Sequence, residues 1–194
     1  MSETNVTPTE RTVLVVDDSA KTADLYAEYL DGYRVLIAYS GEEALELVGE
    51  TVDVVLLDRR MPTVTGDDVL SAIRARDLDC RVVMVTAVEP DIDILGLPFD
   101  EYLIKPLSRD QIRRVVSQML VRSERDETFQ ELFAIASKMA TVESKMRLAE
   151  LEASPEYAAL EAAFDELRAK IRAGGTTESM YAEFADEKIH SLLS

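Results

Sequence analysis

Four short apolar runs between residues 13 and 104 each end abruptly on a polar group. Val13-Leu14-Val15-Val16 is followed by Asp17-Asp18, Val54-Val55-Leu56-Leu57 by Asp58, Val82-Val83-Met84-Val85 by Thr86, and Tyr102-Leu103-Ile104 by Lys105-Pro106. Runs this short and this continuously apolar predict strands buried on both faces, which is the pattern of a parallel sheet covered by helices. In such open α/β sheets the carboxyl ends of the strands line one crevice, where ligands bind. Three carboxylates, a hydroxyl and an ammonium are therefore expected to meet in one place.

The segments between the runs support that layout. Thr12–Val16, Arg34–Ala38, Asp53–Leu57, Arg81–Thr86 and Glu101–Ile104 are the five predicted strands. Helical spacing predicts helices over Lys21–Leu30, from the Ser40 cap through Val48, over Asp67–Arg76 and over Ser108–Arg122. Ser40 with Glu43 three places on reads as a capping box, and Asp31-Gly32 stops the first helix. One crossover breaks the rhythm. Between the fourth and fifth strands Pro90, Gly96 and Pro98 leave room for barely two helical turns, so that helix is expected to be short or irregular.

The expected crevice has a definite chemistry. Asp17 and Asp18 form a hard, oxygen-rich corner suited to Mg²⁺. Asp58 beside them is a carboxylate that can attack phosphorus in line and form an acyl phosphate. Thr86 would supply a hydrogen bond, and Lys105 an ion pair, to the phosphoryl oxygens. Lys105-Pro106 is also a candidate for a cis peptide bond. Taken singly, each signal has an ordinary reading: an acid after a strand is often a helix cap, and a lysine is often a solvated surface cation. Their order after successive apolar runs favours the functional reading.

On these residues the chain resembles the receiver domain of two-component response regulators: Val-Leu-Val-Val-Asp17-Asp18-Ser, Asp58-x-x-Met61-Pro62 with Gly66, Thr86-Ala87, and Tyr102-Leu-x-Lys105-Pro106. The resemblance covers about residues 11–122. It implies a flavodoxin-like, doubly wound, five-stranded parallel sheet alternating with five helices. It further implies that Asp58 accepts a phosphoryl group from a histidine kinase. Mg²⁺ would be held by Asp18, Asp58 and the Arg60 backbone carbonyl, with Asp17 acting through water. Thr86 and Tyr102 would be the switch pair, Lys105 the phosphoryl contact, and the Lys105–Pro106 bond cis. The short crossover departs from the family at the surface through which many receivers dimerise.

From Glu124 onward the periodicity is purely helical. Phe129, Leu132, Ala136, Met139, Glu143 and Met146 step by three and four, with one polar interruption at Glu143. Ser154-Pro155 supplies a cap and a first-turn proline, and Tyr157, Leu160, Phe164, Leu167 and Ile171 repeat the stripe. Gly174-Gly175 ends it, and Thr177–Leu193 reads as a shorter third helix. Two such stripes predict an antiparallel hairpin, or helices paired with a second copy of the chain. The chain is accordingly divided into a receiver over 11–123 and a helical region over 124–194. Phe129 to Ala140, and the stretch from Leu148 through Ser154-Pro155 to Glu161, are similar to the HalX domain appended to receivers in halophilic archaea.

Charge and composition limit the functions open to the chain. There are 38 acidic and 21 basic residues for a net charge of −17, and only six of the basic residues are Lys, as expected of a salt-loving organism. The excess is spread over both halves, which is a solubility device rather than a binding site. With 15 acids against 8 bases, the region from 124 to 194 has no basic face for nucleic acid. A DNA-binding transcriptional regulator acting through these helices is the alternative reading, since molar salt screens charge within ~3 Å. A phosphatase of the haloacid dehalogenase kind would need its second Asp two positions after the first, but Asp17, Asp18 and Ser19 do not fit. Turnover of an external substrate is not expected, only self-phosphorylation from a phosphodonor and self-dephosphorylation. No apolar stretch approaches the ~18 residues of a membrane span, and Met1–Glu10 lacks the basic start of a secretory signal. Cys80 is the only cysteine, so no internal disulfide forms, which suits a reducing cytoplasm. His190 reads as a helix-surface residue. The output is expected to pass through the C-terminal helices to a partner protein or a second copy.

Overall fold

A computed structural model describes residues 11–123 and 127–174. Five strands, β1 (Thr12–Val16), β2 (Arg34–Ala38), β3 (Val54–Leu57), β4 (Arg81–Thr86) and β5 (Glu101–Ile104), form one parallel sheet in the order β2-β1-β3-β4-β5. The flavodoxin-like sheet expected from the sequence is thus present, with every strand at its predicted place. Alternation along the strands divides the core in two. Leu14, Val16, Val55, Leu57, Val82 and Met84 face one layer, and Val13, Val15, Val54, Leu56, Val83 and Val85 face the other.

The helices fill these layers. On the second face lie α1 (Ala20–Glu28), with Ala23 and Tyr26, and α4 (Arg109–Ser123), with Ile112, Val115, Val116 and Met119. On the first lie α2 (Gly41–Leu47) and α3 (Gly66–Ala75), the latter burying Val69, Leu70 and Ile73. The crossover between β4 and β5 shrinks to a 3-10 turn at Ile92–Ile94, as its prolines and glycine predict. Helix starts follow the local chemistry. Thr65 and Asp68 form a full capping box on α3. The box expected at Ser40 is half made: Ser40 accepts from the Glu43 backbone, but the Glu43 carboxylate reaches the Tyr39 N–H instead.

Three further helices follow, α5 (Glu127–Glu143), α6 (Leu148–Glu152) and α7 (Pro155–Gly174). Tyr157 at the start of α7 donates to Glu143 at the end of α5, and the α7 Lys170 feels Glu131 near the start of α5, so the two run antiparallel. Glu143, the one polar member of its stripe, is therefore a hydrogen-bond acceptor within the hairpin. Ser154 caps α7 by accepting from the Tyr157 backbone. The hairpin does not stand apart: Leu132, Phe133, Ile135, Ala136 and Met139 belong to the same apolar cluster as Phe99 and Tyr102 of the sheet domain. The expected helix over Thr177–Leu193, His190 and the segment Met1–Glu10 lie outside the described residues. No helix among the described residues is long and apolar enough to cross a membrane.

One glycine ties α3 to β3. A Cβ on Gly66 would sit 2.2 Å from the Asp58 carbonyl oxygen and 2.8 Å from the Arg59 Cα. These are backbone atoms that cannot rotate away, so the helix must start on glycine to approach the strand end so closely. Gly66→Ala is expected to cost about 1–3 kcal/mol of unfolding free energy through overpacking. A fall in denaturant midpoint at unchanged m value would register it; a wild-type midpoint would contradict the close approach.

Candidate functional site

The strand ends converge as the sequence predicts. Hydrogen bonds of the sheet continue past the strands: Asp17 N–H donates to Ala38, Asp58 N–H to Val16 and Lys105 N–H to Thr86, each to the backbone carbonyl, which fixes three of the polar residues as extensions of the ladder. One carboxylate oxygen from each of Asp17, Asp18 and Asp58 lies within 4.8 Å of the others. Asp17 and Asp58 are buried, at 3% and 7% exposure, while Asp18 is open to solvent. The Lys105 Nζ lies 2.5 Å from Asp17 Oδ2 and 3.3 Å from Asp58 Oδ1. The Lys105–Pro106 peptide bond is cis.

The electrostatics follow from this crowding. Burial raises the Asp58 carboxyl above the ordinary range; Lys105 opposes that, Asp17 adds to it and hydrogen bonding from Thr86 opposes it. Burial disfavours the Lys105 ammonium, yet its hydrogen bond to Asp17 and the fields of Asp58 and Asp17 outweigh this and hold its pKa above that of a free lysine. Three carboxylates face one ammonium, so the corner has an excess negative charge of two. That hard oxygen donor set fits a divalent cation such as Mg²⁺.

Thr86 is fully buried at the end of β4, and its hydroxyl accepts from the Val88 N–H at 3.3 Å. Tyr102 is buried on β5 and donates its hydroxyl to the Val88 carbonyl at 2.8 Å. The two residues therefore meet at one backbone unit of the loop that follows β4. Arg60 lies two residues after Asp58 with its side chain exposed.

The sequence assigns Arg59 no role, but the structure does. Its guanidinium bonds Asp67 on α3 at 3.1 Å and Asp93 in the 3-10 turn at 2.6 Å. It also lies close enough to Tyr102 to lower that phenol's pKa, against the larger upward push of burial. Arg59 thus joins the loop after Asp58, the short crossover and the Tyr102 neighbourhood. The available signal was a pair of arginines beside an acidic site in a strongly acidic chain.

Comparison with known proteins agrees with this geometry. The family described as response regulator receiver domain matches residues 13–117, and the HalX domain matches residues 121–191. A putative transcriptional regulator of Haloferax volcanii is 54% identical over 138 residues, which is 70% of this chain and 24% of the relative. The chain therefore spans about a quarter of the length of that relative. The receiver domain of the Francisella response regulator 1452 is 29% identical with a TM-score of 0.55, covering 59% of this chain and 99% of that one. The response regulator TrrA of Thermotoga maritima, solved in complex with Mg²⁺ and BeF, is 32% identical with a TM-score of 0.50, covering 57% and 99% respectively.

Because the folded chain raises the Asp58 pKa, folding favours the protonated form, and the carboxylate charge opposes folding at neutral pH. Asp58→Asn is expected to raise the unfolding temperature in the presence of a chelator. Adding Mg²⁺ should stabilise the wild type, by about 2.7 kcal/mol at a concentration a hundred times its dissociation constant, and should stabilise Asp58→Asn or Asp18→Asn less. Thermal unfolding with and without Mg²⁺ checks both signs, and equal stabilisation of all three chains would contradict the cation site.

Proposed function

We propose, since the chain belongs to the response regulator receiver family, that it is the phosphoacceptor of a two-component phosphorelay and that Asp58 carries the phosphoryl group. The observation that carries this reading is the trio Asp17, Asp18 and Asp58 within 4.8 Å, with Lys105 reaching two of them. An Asp58 carboxylate oxygen attacks the phosphorus of a phosphohistidine on a histidine kinase. The new O–P bond forms as the P–N bond breaks, and the imidazole keeps the electron pair and takes up a proton. Bound Mg²⁺ supplies positive charge against the carboxylates and the phosphoryl oxygens. In this reading Asp17, Asp18, Asp58 and the Arg60 carbonyl hold the ion. Lys105 trades its contact with Asp58 for the phosphoryl group, and the Thr86 hydroxyl donates to a second phosphoryl oxygen. Thr86 and Tyr102 then form the switch, which fits their shared contact at Val88. Water attack on the acyl phosphate returns the carboxylate, so the chemistry is self-modification rather than turnover of an external substrate.

Residues 11–123 serve in this account as the receiver and residues 124–194 as the output region, working in the cytoplasm on a partner protein or a second copy. A second reading, in which the output region acts on DNA, draws on the Haloferax relative's name as a transcriptional regulator. The described tail does not favour it. Lys138 is buried, and Lys145 and Lys170 are paired with Glu89 and Glu166.

Incubation with Mg²⁺ and acetyl phosphate should give an acid-labile phosphoryl group on the wild type that hydroxylamine also removes, as an acyl phosphate requires. It should give none on Asp58→Asn, and labelling should fall about a hundredfold or more for Lys105→Ala, as when a positioned charge is removed from a transferring phosphoryl group. Undiminished labelling of Asp58→Asn would sink the assignment.

A further inference from the structure

Helix α5 lies along β5, the outermost strand, on a mostly apolar seam: Leu132, Phe133, Ile135 and Met139 share one cluster with Phe99 and Tyr102. Ser137 adds a polar contact, its hydroxyl donating to the buried Glu101 carboxylate at the start of the strand. Lys138, the next residue, breaks the pattern. It is 9% exposed, and its Nζ lies 5.2 Å from the centre of the Phe99 ring. Among the described residues, no carboxylate or carbonyl bonds that ammonium. Lysines are almost never buried unless paired, because lost hydration has to be replaced.

The carboxylate whose field reaches Lys138 is already taken. Asp100 Oδ2 accepts from Arg74 Nη2 and from the Val82 N–H, each at 2.8 Å, and its Oδ1 accepts from Arg81 Nη1 at 3.1 Å. The two guanidiniums are occupied in turn. Arg74 also donates to the Pro98 and Cys80 carbonyls, and Arg81 to Asp79. Burial pushes the Lys138 pKa below that of a free lysine; Asp100 opposes this and Arg74 adds to it. A second donor here, Arg81 Nε, is buried without an acceptor among the described residues.

These side chains line a cleft of about 570 Å³ between the receiver and the hairpin. Arg74, Arg81 and Phe99 form one wall, and Ile135, Lys138 and Leu160 the other. Arg81 opens β4 and Asp100 directly precedes β5, so the cleft lies at the opposite end of the strands from Asp58. An apolar lining with a few fixed polar groups, at this volume, is the usual make-up of a small-molecule site.

We propose that the cleft binds a small organic monocarboxylate, its charge on the Lys138 ammonium and its apolar body against Phe99, Ile135 and Leu160. One unpaired cation matches one negative charge. A dianion such as a phosphate ester is disfavoured. The guanidinium forks that would grip it are filled by Asp100 and Asp79, and Asp79 and Glu131 in the cleft lining repel a second charge. The site makes no use of Asp58. Because its walls come from both parts of the chain, a bound carboxylate also ties the hairpin to the receiver.

Benzoate is the probe for the test. The full chain has six lysines, so ¹³C labelling at lysine Cε gives a spectrum simple enough to follow by NMR. Lys138→Arg keeps the charge and assigns the signal by deleting it. Sodium benzoate, titrated against sodium chloride at constant ionic strength, should move the Lys138 signal saturably and raise the unfolding temperature by mass action. Lys138→Met keeps the length of the side chain without its charge. Calorimetry should show its benzoate affinity lowered about tenfold or more, as when one partner of a buried charge pair is removed. Ala134→Leu narrows the cleft with the ammonium in place and should weaken binding as well. A Lys138 signal that stays still, or that answers sodium sulfate as it answers benzoate, would overturn the site. So would undiminished benzoate binding by Lys138→Met.

Discussion

The ammonium of Lys105 is the counter-charge on which the strand-end corner depends. Asp17 and Asp58 sit in the dry end of a sheet whose strands are buried on both faces, and like charges there repel at short range. Lys105 approaches both from β5, two strands away from β3 and three from β1 in the sheet order. Sheet order and charge are therefore interdependent. The ammonium meets the carboxylates only because parallel strands bring all their carboxyl ends to one side. The single lysine leaves a charge deficit, and a divalent cation makes it good.

Much of this was legible in the sequence, because a polar residue directly after an apolar run is a one-dimensional signal. Asp17, Asp58, Thr86 and Lys105 each follow such a run, and a parallel sheet turns that shared position into shared space. The weak crossover was legible for a similar reason, since Pro90, Gly96 and Pro98 exclude a regular helix by covalent geometry alone. Gly66 stands in the sequence only as a member of the Asp58 motif, and its real constraint, a backbone closing on Asp58 with no room for a methyl, exists only in three dimensions.

What stayed hidden was pairing between polar groups distant in the chain. Nothing local to Arg59 indicates that it reaches Asp93, 34 residues on. Glu143 looked like a flaw in an apolar stripe until Tyr157 met it from the next helix. The receiver-facing side of α5 was invisible for a deeper reason. Periodicity finds large apolar residues, and Ser137 and Lys138 carry no such signal. Ser137 and Lys138 are instead almost wholly covered.

The placement of α5 has a consequence for how the chain can be handled. β5 is the outermost strand on its side, and a bare outermost strand is a template for another chain to pair with. Here the protein sheathes that border with its own appendage. Severing the chain behind α4 would accordingly strip the sheath, baring Phe99, Tyr102 and a row of backbone donors and acceptors. The fragment left behind would be a sticky remnant, and its behaviour would say little about the receiver as it works inside the whole molecule.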